Sequence, residues 1–157
     1  MYVQSTTAIN LQRIRELILH KSVWAYSIAL DSATNRGDAY VDVRVRVCVG
    51  GSIQNFHILA IPIDESHTGA VIFNMISQVL HAVLGPQWCK KIVSEATDGA
   101  ANMTERHQSV VTRLECVSLP GFYRIWCAAH QLDLVVQHIM STVLKAPFHD
   151  PLVALIG

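Results

Sequence analysis

A strict alternation of apolar and polar side chains over Tyr40–Val49 constrains the fold more than any other feature of this chain. Valine occupies every second position from residue 41 to residue 49, and most of the intervening residues are polar. A period of two residues is typical of a β-strand with one buried face. Gly50-Gly51 follows directly and predicts a hairpin turn. The run Ile53–Ile63 is therefore predicted to return as a strand, and Pro62 near its end favours an edge position.

The other segments predict an alternation of helices and strands on both sides of this hairpin. In chain order they are a helix from Thr6 or Thr7 to about His20, a strand over Val23–Leu30, a turn-rich link over Ser32–Asp38, the hairpin strands, a helix over Thr68–Leu84, a strand over Lys91–Thr97, a helix from about Ala100 to Glu115 with His107 facing inward, a strand over Phe122–Trp126 and a helix from about Ala128 to Leu144. Trp24 and Trp126 lie in apolar runs and are predicted to be core residues. A strand-helix-strand crossover is right-handed, which makes the fourth strand parallel to the first and third, but the pattern does not say which of them it neighbours.

The composition excludes several classes of protein. A chain of 157 residues with 51% hydrophobic and 15% charged residues is long and apolar enough to bury the core of one domain. No apolar run approaches the ~18 residues of a membrane-spanning helix, and Met1–Asn10 lacks a signal-peptide core. Four scattered cysteines favour a reducing compartment. The net charge is zero and no basic block is visible, so the chain does not have the charge of a protein that grips nucleic acid alone.

Two aspartates occupy matching positions in the predicted elements. Asp31 follows the strand Val23–Leu30, and Asp98 follows the strand Lys91–Thr97 just before a glycine. If the two strands are neighbours, both carboxylates emerge at the carboxyl edge of the sheet, where α/β proteins place their ligand sites. The alternative is that each aspartate is a turn former or a helix cap. The residues alone leave both interpretations open.

Three segments together resemble the catalytic domain of hAT-type transposases. They are Ser27–Ser32 around the first aspartate, Thr97–Met103 with the pattern Asp-x-x-x-Asn-Met, and Trp126–Val136 with Cys127 and His130 three residues apart and a leucine following. The resemblance implies an α/β, ribonuclease H-like fold. Its five-stranded mixed sheet has three antiparallel strands and then two parallel ones, flanked by helices.

The resemblance also implies a function, which is metal-dependent DNA cleavage and strand transfer in the full-length protein. Asp31 and Asp98 would be the first two catalytic acids and would hold Mg²⁺ or Mn²⁺, which prefer carboxylate oxygens. DNA would be the substrate, a homo-oligomer or a missing C-terminal region would complete the protein, and no membrane would be involved. The expected location is the nucleus, or otherwise elsewhere inside the cell.

The family's third acid is a glutamate that follows a long helical insertion. The apolar tail suggests a chain cut before that insertion, so we divide it into a packing helix over residues 1–22, a partial ribonuclease H-like core over 23–145 and the start of a missing region over 146–157. Glu95, Glu105 and Asp133 are poor local substitutes for the missing acid. We therefore expect no independent nuclease activity, and the alternative function is a non-catalytic, transposase-derived binding module for DNA or protein.

The Cys127–His130 element has two interpretations of its own. A cysteine and a histidine three residues apart can ligate zinc, but a structural zinc site needs four ligands and no convincing partners are visible. Packing of the cysteine in the core, with a local hydrogen bond from the histidine, is the prediction we favour.

Overall fold

The computed structural model describes residues 2–35, 38–63 and 68–142. These residues form five α-helices and five β-strands, with a 3-10 turn over Trp88–Lys91. The helices are α1 (Tyr2–Leu19), α2 (Gly69–Leu84), α3 (Ala101–Thr104), α4 (Val110–Val117) and α5 (Ala128–Thr142), and the strands are β1 (Tyr26–Asn35), β2 (Asp38–Val49), β3 (Ser52–Ile63), β4 (Ile92–Thr97) and β5 (Tyr123–Trp126). The chain divides into two compact units, Met1–Ile125 and Trp126–Gly157. Among the described residues, no helix has both the length and the apolar character needed to cross a bilayer.

The strands form one mixed sheet with the order β3-β2-β1-β4-β5. β1 pairs with β2 and β2 with β3 in antiparallel register, whereas β1 pairs with β4 in parallel. The sequence left open which strand β4 would neighbour, and the structure places it beside β1. The predicted α/β fold class, a five-stranded mixed sheet flanked by helices, is therefore confirmed.

The β2–β3 hairpin follows the sequence pattern closely. Gly50 and Gly51 both have positive φ, at 57° and 81°, which side chains with a Cβ rarely adopt and which two-residue hairpin turns require. The valines of β2 from residue 41 to residue 47 are at most 2% exposed. β3 lies at the margin of the sheet, so the edge position indicated by Pro62 is confirmed.

α2 supplies the helical side of the core. Its inward residues Ile72, Ile76 and Leu80 are at most 1% exposed and belong to the same buried cluster as the β2 valines. Thr68 caps the helix because its hydroxyl accepts a hydrogen bond from the Val71 amide at 3.4 Å. Gly85 follows its last residue with a φ of 89°, and the predicted end at Leu84 is confirmed.

Three predicted boundaries are wrong. α1 begins at Tyr2 rather than at a cap near residue 6, and β1 continues through Asp31 to Asn35 instead of ending before a loose link. The extension of β1 has a physical reason, since every residue from 31 to 35 pairs with a residue of β2. Asp31 therefore lies within a strand and not after one.

The third wrong boundary concerns the helix predicted over about 100–115, which is two helices. Glu105 leaves the helical conformation with a ψ of 144°, and Thr104 turns its hydroxyl back to the Ala100 carbonyl at 3.0 Å. Ser109 then caps α4 by accepting a hydrogen bond from the Thr112 amide. His107 falls in the connection and is exposed, contrary to prediction.

The predicted core tryptophans are also wrong. Trp24 is 80% exposed and Trp126 is 55% exposed. Trp24 precedes β1, so the apolar run that contains it is only partly strand. Apolar composition alone does not distinguish a strand from the segment that leads into it.

Lys91 joins the end of α1 to the start of β4. Its ammonium donates hydrogen bonds to the carbonyls of Ile18 at 3.0 Å, His20 at 3.2 Å and Val23 at 2.6 Å. A cation suits this position because the last carbonyls of a helix lack partners and carry partial negative charge.

We expect Lys91→Met to lower the free energy of unfolding by about 2 kcal/mol in urea titrations, since three carbonyls lose their donor. The neighbouring Lys90→Met is the control, and an equal loss in both variants would contradict this assignment.

Candidate functional site

The parallel pairing of β1 and β4 determines where the two predicted aspartates lie. Leu30 pairs with Thr97, and Asp31 and Asp98 each follow by one residue. Because the strands are parallel, both aspartates lie at the same edge of the sheet, on the carboxyl side of β4. The structure therefore places the two residues that the sequence singled out at one edge of the sheet, and the contact that Asp98 makes with β1 is to Ser32.

Asp98 is held by the protein through both of its carboxylate oxygens. Oδ2 accepts a hydrogen bond from the Ser32 hydroxyl at 2.7 Å, and Oδ1 accepts one from the Ala100 amide at 3.2 Å. The second bond is the local turn contact that aspartate commonly makes with the residue two positions on. Asp98 thus acts as a turn former, which is the alternative role predicted from the sequence. The hydrogen bond from Ser32 also connects Asp98 to β1. Its role as a metal ligand stays a prediction.

Asp31 is exposed, and no partner for its carboxylate is found among the described residues. Its cross-strand neighbour is Asp42 on β2. Directly opposed like charges destabilise a sheet, but Asp42 forms an ion pair with Arg44 and also contacts His57. Arg44 donates from Nε to Asp42 at 2.5 Å, and His57 Nε2 lies 2.5 Å from its other oxygen. Asp42 is committed to these contacts, which leaves Asp31 as the uncompensated carboxylate.

Glu95 is a buried carboxyl group whose burial the sequence did not predict. It pairs with Ile28 on β1, is 0% exposed, and has no hydrogen-bond partner for either carboxylate oxygen. Burial raises the pKa of Glu95 to about 8. The positive charge of Arg124 lowers this pKa, and the negative charge of Asp98 raises it further. A carboxylic acid inside an apolar strand sequence was the visible signal.

Glu95 does not complete the carboxylate set. Successive side chains of a strand point to opposite faces, and Glu95 lies on the same face as Ile28 and Leu30, which belong to the core. Asp31, next to Leu30, belongs to the other face. The prediction that Glu95 is a poor substitute for the third acid agrees with this placement.

The other two local acids are both exposed. Glu105 is exposed on the connection between α3 and α4. Asp133 lies on α5 in the second unit, is exposed, and accepts a hydrogen bond from Gln137 at 2.7 Å. Within the ranges that the structure describes, no three residues among the histidines, cysteines, aspartates and glutamates are grouped so that they could hold a metal ion.

Cys127 and His130 belong to the second unit and begin its helix. Cys127 is a free, exposed thiol, and its carbonyl accepts the Gln131 amide at 3.0 Å. The predicted core packing of this cysteine is therefore wrong. No side-chain hydrogen bond of His130 is found in the described part of the chain, where α5 also buries none of its residues.

The residues present fit a divalent cation only in part. Carboxylate oxygens are the donors that Mg²⁺ and Mn²⁺ prefer, and Asp31 offers an uncompensated one. Asp98 offers oxygens that keep lone pairs besides those used by Ser32 and Ala100. Two carboxylates can begin a metal site, and further ligands would have to come from water, substrate or other protein.

Comparisons with known proteins give little beyond this geometry. No family model matches the chain, and no curated protein matches it. Among solved structures, one that resembles it is the catalytic core domain of the HTLV-2 integrase, in a complex with magnesium and in a trimeric form. The two are 11% identical, and the match covers 79% of this chain and 74% of that one with a TM-score of 0.32. A TM-score this low carries no statement about what the present chain does.

Proposed function

We propose that this chain is a partial transposase-type catalytic core of the hAT class, which would cleave and join DNA with Mg²⁺ or Mn²⁺ in the full-length protein. The observation that carries the proposal is the parallel β1–β4 register, whose last pair, Leu30 and Thr97, is followed on each chain segment by an aspartate. Phosphodiester cleavage requires an activated nucleophile and a stabilised leaving oxygen, and divalent ions held by carboxylates supply both. The hAT assignment rests on the sequence resemblance alone.

In this proposal the two aspartates have different tasks. Asp31, exposed and without a described partner, would be the more accessible ligand. Asp98 is oriented by Ser32 and by the Ala100 amide, so its carboxylate is positioned before any ion arrives. Asp42 would keep its basic partners Arg44 and His57 and would not bind the ion.

A second function remains a candidate, namely a non-catalytic, transposase-derived module that binds DNA or protein. Two observations favour it for the isolated chain. The described residues contain no group of three potential ligands, and both oxygens of Asp98 already have protein partners. The first proposal also includes DNA as the substrate, a homo-oligomer or a further C-terminal region, and a nuclear location.

A metal titration of thermal stability distinguishes the two functions. We expect Mn²⁺ at about 100 times its dissociation constant to stabilise the native state by about 2.7 kcal/mol, which corresponds to a rise in Tm of roughly 5–10 °C for a chain of this size. Asp31→Asn and Asp98→Asn should each abolish the rise, because each removes one of two charged ligands. The measurement is differential scanning calorimetry with and without Mn²⁺.

The controls separate binding at this site from general effects of charge. Glu16→Gln removes an exposed carboxylate from α1 and should leave the Mn²⁺ response unchanged. Each variant is also compared with its own metal-free Tm, since Asp31→Asn relieves repulsion from Asp42 and can raise the Tm without any ion. A wild-type protein that does not respond to Mn²⁺, or a response that survives both substitutions, would favour the non-catalytic module.

A further inference from the structure

The face of the sheet that carries Asp31 also carries two arginines in a row. Arg44 and Arg46 alternate with the buried valines of β2 and are exposed, with 60% of the Arg44 side chain accessible. Residues two apart on a strand lie about 6.6 Å apart on the same face. The two guanidinium groups therefore form a short basic row along β2.

Each arginine is oriented by a neighbour that leaves the end of its side chain available. Arg44 donates from Nε to Asp42, and Arg46 donates from Nε to the Asn55 side-chain carbonyl at 2.7 Å. For the terminal nitrogens of both, the described residues contain no partner. A guanidinium fixed through Nε and open at its terminal nitrogens is suited to bidentate contact with a phosphate.

The row is aligned with the aspartate site. Arg44 pairs with Ala29 and Arg46 pairs with Ser27, which are two and four residues before Asp31 on β1. On the other side of β1, the paired positions of β4 on this face are Ser94 and Ala96. The floor between the arginines and β4 is thus built from small side chains, which offer little apolar area for a packed helix. Ser94 is buried and bonds Ser27 at 2.8 Å, whereas Ala29 and Ala96, nearer the aspartates, are partly exposed.

We infer that this face of the sheet, defined here as the Arg44–Arg46 row, binds the phosphate backbone of the DNA strand that reaches Asp31 and Asp98. The inference rests on the proposed function for the identity of the ligand. Phosphate contacts position a nucleic acid without reading its sequence, so a row beside the carboxylates would set the direction in which the strand approaches. Two phosphate contacts do not require a protein that is basic overall. Binding at the Arg44–Arg46 row is therefore compatible with the net charge of zero.

The test is DNA binding measured by fluorescence anisotropy in EDTA, on labelled 30-nucleotide single strands and 30-base-pair duplexes over a range of salt concentrations. The variant is Arg44→Gln with Arg46→Gln. Each neutralised phosphate contributes about 0.7 to the salt slope on single strands and about 0.9 on duplexes. We expect the double variant to bind more weakly and to lose about 1.4 from the slope on single strands and about 1.8 on duplexes.

The control is Arg13→Gln with Lys21→Gln, which removes the same two charges from exposed positions on and just after α1, the helix that packs with α2. This control should keep the wild-type slope. Arg44→Lys with Arg46→Lys keeps the charges and should retain the slope while losing affinity, because lysine lacks the bidentate fork; it also serves if the glutamine variant does not fold. Equal losses in variant and control, or a wild-type protein that binds neither probe at low salt, would overturn the inference.

The test does not depend on metal, so its result is separate from that of the proposed function. Asp31→Asn and Asp98→Asn should bind DNA in EDTA at least as well as the wild type, since they remove negative charge near the backbone. DNA binding that is lost in the arginine variant and kept in the aspartate variants would support the row even if Mn²⁺ has no effect. If Mn²⁺ stabilises the protein but the arginine variant binds DNA as well as the wild type, the proposed metal site stands and the inference about the Arg44–Arg46 row is wrong.

Discussion

Glu95→Gln is expected to stabilise the protein by about 3 kcal/mol at pH 7 and by almost nothing at pH 4.5. The wild-type carboxyl is fully buried without a partner, and burial raises its pKa from 4.5 to about 8. The native state therefore holds this proton across a pH range in which the unfolded chain releases it. Each pH unit in that window costs the wild type about 1.4 kcal/mol, and glutamine, which has a similar shape and no proton to lose, avoids the cost.

The sign of this dependence follows from the direction of the shift. A carboxyl whose pKa is raised on folding contributes its full stability below the pKa of the unfolded chain, and the contribution falls as the pH rises toward 8. The difference in unfolding free energy between Glu95→Gln and the wild type should thus grow between pH 4.5 and pH 8 and level off above. Urea titrations at pH 4.5, 6, 7 and 8 give this difference directly.

Exposed Glu105→Gln is the matched control for the glutamate substitution, because it makes the same chemical change outside the core. Its difference from the wild type should stay within about 0.5 kcal/mol at every pH, as for most surface substitutions. A flat profile for Glu95→Gln as well would mean that the Glu95 carboxylate finds a partner in solution. Arg124, whose charge lowers the Glu95 pKa, would then be the first residue to substitute.

The sheet was predictable because its signals are local and agree with one another. The alternating valines of β2 and the Gly50-Gly51 turn determine the hairpin, and the register of a hairpin then follows from its turn. Asp31 and Asp98 were recognisable because each ends or follows an apolar strand run. Their neighbourhood depends on β4 lying beside β1, which no local pattern encodes and which only the folded sheet decides.

The errors come from side-chain hydrogen bonds and strand pairings that the apolar pattern of the sequence does not show. The helix predicted through residue 115 is interrupted because Thr104 and Ser109 bond to backbone groups in preference to continuing the helix. The sequence does not show that Asp31 faces Asp42, because the turn-forming residues after position 31 predict a link that starts at Ser32. In the structure β1 extends to Asn35 and β2 begins at Asp38. The antiparallel pairing of these two strands places Asp31 opposite Asp42.

Gly69→Ala is expected to destabilise the protein by about 3 kcal/mol, although alanine is the better helix former. A Cβ at position 69 would lie 2.4 Å from the Gln108 carbonyl oxygen, 2.8 Å from the Asn102 carbonyl oxygen and 2.9 Å from the Ser109 Cα. All three atoms are backbone, so no side-chain rotation relieves the contacts. The helix gains about 1 kcal/mol at most from alanine, and overpacking against fixed atoms costs more than that.

The close approach at Gly69 joins the start of α2 to the segment that follows Asp98. Asn102 lies in α3, and Asp98 accepts a hydrogen bond from Ala100 just before that helix. Displacing this segment should therefore weaken any Mn²⁺ response together with the fold. Asn74→Ala on an exposed position of the same helix is the control, and it should be neutral or slightly stabilising. Chemical denaturation of both variants measures the effect, and a stable Gly69→Ala would show that α2 can move away from the α3–α4 connection without loss.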